Sequence, residues 1–130
     1  MALIALCQTL AAPIAFASPL LHCEISYGGS TQIVEARLNE NPLTIDATDI
    51  AGRFKFKAVM IGKSDVIDYI KLYSYFQDED KDILIQQASF YPPFHLKAGS
   101  VTLGPKTSLY AGNLERELQY QCRLQQANHD

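Results

Sequence analysis

The chain reads as all-β: a small antiparallel β-sandwich, or a partly open barrel, of about seven strands, with its N- and C-terminal strands joined by a disulfide. Three observations predict this. Runs of alternating apolar and polar residues recur along the chain, separated by turn residues about every 8–12 positions. No run has a convincing helical period; residues 109–118 come nearest, and Gly112 interrupts them. Cys23 and Cys122 stand far apart in sequence, each in phase with the apolar residues of its own strand.

The longest run, residues 53–76, organises the others. Arg53-Phe54-Lys55-Phe56-Lys57-Ala58 alternates with a period of two, as a half-buried strand does. Val59, Met60 and Ile61 continue it with apolar residues on both faces, which predicts cover from other elements. Gly62-Lys63-Ser64-Asp65 supplies turn residues, and residues 68–76 return as the second arm of a hairpin.

Taken in order, residues 22–27 form the first strand and Gly28-Gly29-Ser30 its turn. Residues 31–38 alternate again, with Val34, Ala36 and Leu38 on one side and Ile33, Glu35 and Arg37 on the other. Asn39-Glu40-Asn41-Pro42 ends that strand, because proline cannot donate to a ladder. Leu43-Thr44-Ile45 is expected as a short edge strand, followed by a polar crossing through Asp46, Thr48 and Asp49 to Gly52. After the central hairpin, residues 77–82 form an acidic connection and residues 83–90 another strand. Pro92-Pro93 takes the chain out of the sheet. Residues 101–103 make a short strand, Gly104-Pro105-Lys106 a turn, and residues 114–124 the last long strand.

The first 17 residues contain no charged side chain, and their apolar run closes on Ala15-Phe16-Ala17. A short apolar region ending in an A-x-A triplet is the pattern a signal peptidase cuts. Residues 1–17 are therefore expected to be a signal peptide and residues 18–130 a single domain. Pro13, Gln8 and Thr9 interrupt the run, which is short of the roughly 20 apolar residues a spanning helix needs, so no membrane span is expected after cleavage. The expected location is outside the cytoplasm, periplasmic or secreted, in a bacterial source.

Export settles the cysteine arithmetic. Cys7 leaves with the signal, and Cys23 and Cys122 remain as an even pair in an oxidising compartment. Their phases direct both sulfurs inward, with Cα atoms expected about 4.4–6.8 Å apart. Tyr120-Gln121-Cys122 resembles the Y-x-C of immunoglobulin domains. The rest of that pattern is missing: Cys23 comes too early, no strand follows Cys122, and the chain has no tryptophan.

No catalytic or metal constellation emerges. Asp78, Asp80 and Asp82 match the first positions of a calcium loop, but Ile83 stands where its glycine belongs and Ser89 where its glutamate belongs. Gly28-Gly29-Ser30-Thr31-Gln32 begins like a nucleophile elbow, lacks the final glycine, and precedes no helix. His22, His95 and His129 are scattered. No cofactor is implied. Arg53, Lys55 and Lys57 form a basic stripe, yet the net charge is −3 and the pI about 5.5, which argues against nucleic acid as partner.

The aromatic residues carry the strongest signal. Tyr69, Tyr73 and Tyr75 share one strand face with Lys71, opposite Ile70, Leu72, Ser74 and Phe76. Phe90, Tyr91 and Phe94 frame a proline-stiffened loop. Tyrosine suits interfaces because its ring is apolar and its hydroxyl tolerates water. The expected function is a non-catalytic exported binding module that contacts a protein or envelope component through Tyr69, Tyr73 and Tyr75 or through Phe90, Tyr91 and Phe94. The alternative is a small-ligand carrier with the same aromatics lining a pocket between two sheets.

Overall fold

A computed structural model describes residues 4–5 and 18–127. The signal segment with Cys7, its cleavage point and His129 fall outside those residues, apart from residues 4 and 5. Eight strands follow in chain order: β1 (Pro19–Tyr27), β2 (Ser30–Asn39), β3 (Thr48–Ile50), β4 (Phe54–Lys63), β5 (Val66–Asp78), β6 (Lys81–Phe90), β7 (Ser100–Ala111) and β8 (Arg116–Gln126). They make one sheet in the order β6-β5-β4-β2-β1-β8-β7, with β3 paired to β4 beside that path. Every pairing is antiparallel except β2 with β4, a parallel contact of two residue pairs, Leu38 with Met60 and Asn39 with Ile61.

Of the two expected architectures, the partly open barrel forms. The single sheet curls into a half-barrel around one core rather than stacking as two layers. The curl shows in contacts between strands that are not neighbours. Phe56 on β4 packs against Tyr120 on β8 with ring centroids 5.1 Å apart, although β2 and β1 lie between those strands. The Tyr120 hydroxyl donates to Gln86 Oε1 on β6, a strand at the far edge of the sheet. Tyr27 and Phe54 meet across the same interior at 5.5 Å. Alternation decides which residues turn inward: Phe54, Phe56, Ala58 and Met60 from β4, Ile70 and Leu72 from β5, Leu118, Tyr120 and Leu124 from β8. Burying one such aliphatic or aromatic side chain contributes about 1.5–3 kcal/mol, so the period-two pattern fixes the face of each strand.

Cys23 and Cys122 form the disulfide between the N- and C-terminal strands, and both are fully buried. They sit directly opposite in the β1–β8 ladder, with Cα atoms 4.0 Å apart. That is closer than the expected range, because the cysteines are immediate cross-strand partners rather than residues facing each other across a core.

Five local expectations are corrected. Residues 43–45 are not a strand: Asn41 accepts from the Leu43 amide at 2.9 Å and caps a single 3-10 turn, Pro42–Thr44. The short strand comes later, as β3, inside the segment read as a polar crossing. It forms there because Ile50 is buried and pairs with Phe54. The turn of the central hairpin is only Ser64-Asp65, both with positive φ (54° and 61°), the two-residue form that matches strand twist. Gly62 belongs to β4; a Cβ there would stand 2.0 Å from the Val66 carbonyl oxygen and 2.8 Å from Leu38 Cδ2. Gly104-Pro105-Lys106 is an interruption of register within a continuous β7, tolerated because β7 is an edge strand. Leu114 lies exposed in the β7–β8 turn, and the last strand starts at Arg116.

Candidate functional site

The β4–β5 hairpin places the tyrosines. Inward residues Ile70, Leu72 and Ser74 are buried, so Tyr69, Lys71, Tyr73 and Tyr75 emerge on the outer face of the sheet. On β4 the same face carries Lys55, Lys57, Val59 and Ile61. The register sets four rungs: Lys55 with Tyr75, Lys57 with Tyr73, Val59 with Lys71, and Ile61 with Tyr69. Beyond β5, β6 adds Ser89, Gln87 and Leu84 opposite Lys71, Tyr73 and Tyr75; Ile85 is the extra residue of a bulge between Gln86 and Leu84.

On this face the amines and rings are interleaved. Lys57 Nζ lies 4.7 Å from the Tyr73 ring centroid and Lys71 Nζ 5.0 Å from that of Tyr69, both within cation–π range. The Tyr73 and Tyr75 rings are nearly parallel, 17° apart in plane, with centroids separated by 6.4 Å. Val59 and Ile61 are buried although they point outward, beside Lys71 and Tyr69 in the register. Long lysine stems and rings standing next to aliphatic residues shield them while keeping amines and hydroxyls in water. Lys55 differs from the other two lysines: its Nζ donates to Asp82 Oδ2 at 2.8 Å, and that bond raises the lysine pKa.

The six aromatic residues predicted from sequence do not form one surface. Phe90 pairs with the buried Ile70 and therefore turns inward, and both Phe90 and Phe94 pack against the core. Tyr91 is 64% exposed at the end of β6, where the chain leaves the sheet toward a cis Pro92-Pro93 bond. Tyr73 and Tyr75 thus lie on the opposite side of the sheet from Phe90, and the three cannot wall a single cavity. No family model, curated protein or solved structure matches the chain.

The remaining sequence candidates are placed as follows. The acidic connection expected at residues 77–82 narrows to a two-residue turn, Glu79-Asp80, closed by the pairing of Asp78 with Lys81, with φ 50° at Glu79. Among the described residues, no group of three or more His, Cys, Asp and Glu side chains could hold a metal. His22 faces outward, away from the buried Cys23, with Nδ1 3.4 Å from Glu35 and Nε2 4.0 Å from Glu24. Sequence reasoning missed that contact because β1–β2 register, which sets His22 opposite Glu35, depends on the turn geometry. It also treated Lys57 and the tyrosines as separate features. A two-residue turn at Ser64-Asp65 would have put them on adjacent strands of one face.

Proposed function

We propose that this chain is an exported, non-catalytic binding module that contacts a protein or envelope component through the outer face of the β4–β5 hairpin. The observation that carries the reading is the convergence of Tyr69, Tyr73 and Tyr75 with Lys57 and Lys71 on one solvent-facing side of the longest hairpin. Tyrosine rings with polar tips are enriched at contact surfaces, and the lysine stems add apolar area beside them. The carboxylate at the end of this face, Asp82, is engaged by Lys55, and the five side chains supply ring surface, hydroxyls and amines, which are suited to contact.

Export is part of the proposal, with the periplasm of a bacterium or the medium as destination. The buried Cys23–Cys122 disulfide supports it, since such bonds persist in oxidising compartments. No helix among the described residues is long and apolar enough to cross a membrane. The test is affinity capture from a bacterial envelope extract with the mature domain and with a Tyr73→Ala/Tyr75→Ala variant. The wild type should retain a component that the variant loses at unchanged melting temperature. Equal capture by both proteins would refute the assignment of this face.

A further inference from the structure

The outer hairpin face has a charge and a size that narrow its partner. We propose that it binds a linear anionic polysaccharide lying along β4 and β5, an inference that rests on reading this face as the contact surface.

Charge comes first. The ion pairs found among the described residues are His22 with Glu24, His22 with Glu35, and Lys55 with Asp82. Lys57 and Lys71 thus have no carboxylate within 4.0 Å among those residues, and each holds its amine over a tyrosine ring. They occupy diagonal positions on neighbouring strands, one rung apart, a separation of about 7–8 Å between the two residues. Two uncompensated cations this close, on a chain whose net charge is −3, mark a local site for an anion-bearing ligand. Asp49, opposite Lys55 in the register, and Asp82, bonded to it, bound the cationic stretch at that end.

Size comes next. Four rungs two residues apart extend about 20 Å along the strands, and β4 to β6 spans about 10 Å across them. That strip is a few hundred Å² at most, well below the roughly 800 Å² each partner buries in a stable protein complex. A polymer chain laid along the strip needs no more. A peptide bound by β-strand addition would join this sheet at an edge, through main-chain hydrogen bonds, and the face presents no main-chain groups. It presents ring surface, two amines and the hydroxyls of Tyr69, Tyr73 and Tyr75, none of which has a hydrogen-bond partner among the described residues. These match the C–H faces, the anionic groups and the hydroxyls of acidic pyranose units.

The test uses the whole mature domain with polygalacturonate as the probe and neutral dextran, poly-glutamate and oligo-dT as comparators. With seven tyrosines and no tryptophan, intrinsic emission reports on the tyrosines directly. Polygalacturonate should change that emission saturably, dextran should not, and 0.5 M salt should weaken binding about tenfold or more through screening. Lys57→Gln and Lys71→Gln should each weaken it about threefold, the scale of one exposed ion pair, at unchanged melting temperature. Equal binding of dextran, tighter binding of poly-glutamate or oligo-dT, or indifference to the double lysine variant would overturn the inference. If the double lysine variant still captures the envelope component and Tyr73→Ala/Tyr75→Ala does not, the polyanion falls and the tyrosine face stands. If neither variant loses it, both fall.

Discussion

Cys122→Ala isolates what the bridge contributes. The cysteines are separated by 99 positions in sequence, so the disulfide closes nearly the whole described domain into one loop. In the chain-entropy model a loop of about 100 residues is worth about 4.7 kcal/mol at 25 °C. Residual structure in the unfolded chain reduces such values, and the expected loss is about 2–5 kcal/mol. The substitution removes one sulfur from a fully buried position and leaves Cys23 as a small buried thiol, so little further cost arises from packing. A domain of this size loses about 4 °C of melting temperature per kcal/mol. Far-ultraviolet circular dichroism should therefore show a drop of roughly 8–20 °C on the same scale. Reductant should lower the wild type by a similar amount and leave the variant unmoved. Thiol titration of the native wild type should find no free Cys23 or Cys122. The reasoning fails if variant and wild type melt within about 2 °C of each other. The β1–β8 ladder, eight residue pairs long, would then hold the chain ends by itself.

Three further outcomes follow from the structure. Gly62→Ala should destabilise by roughly 1–3 kcal/mol, because its Cβ would meet the Val66 carbonyl at 2.0 Å; an unchanged denaturant midpoint would refute that close approach. Burial raises the Tyr120 phenol above its ordinary pKa of 10.0. Its contribution is therefore complete below pH 10 and lost as pH rises through the folded-state value. Tyr120→Phe should cost about 1 kcal/mol at neutral pH, by leaving Gln86 without its donor, and should flatten the alkaline loss seen in pH-dependent melts. Mass spectrometry of the exported protein should give an N-terminus at Ser18, and a chain retaining residues 3–17 would contradict cleavage.

The periodicity of apolar residues made the face of each strand legible, because inversion would have buried Lys55, Lys57 and Lys71 while exposing Phe54, Phe56 and Leu72. The cysteine pair was legible for the same reason, since the phase of each strand directs its sulfur inward. What the sequence left open was how the sheet closes. Phe56 meets Tyr120 and Gln86 meets Tyr120 only once the sheet has curled, and no local pattern encodes that. The 3-10 turn at Pro42–Thr44 was misread because Leu-Thr-Ile has strand propensity, while the deciding interaction is the Asn41 cap. At the candidate face, the in-phase tyrosines were readable and their lysine partners were not. Partnership across a hairpin depends on register, and one misplaced turn shifts every rung. Phe90 and Phe94 are partly buried and pack against the core, a placement not legible in sequence because a large aromatic at a strand end serves a core as readily as an interface.

The central claim is that partners meet the outer face of the β4–β5 hairpin, and amide hydrogen exchange on the domain with and without its captured component tests it most directly. Binding should slow exchange across residues 55–61 and 69–75 and leave residues 91–96 unchanged. Protection confined to residues 91–96, with residues 69–75 exchanging as in the free domain, would contradict the account and move the contact surface to the loop after β6.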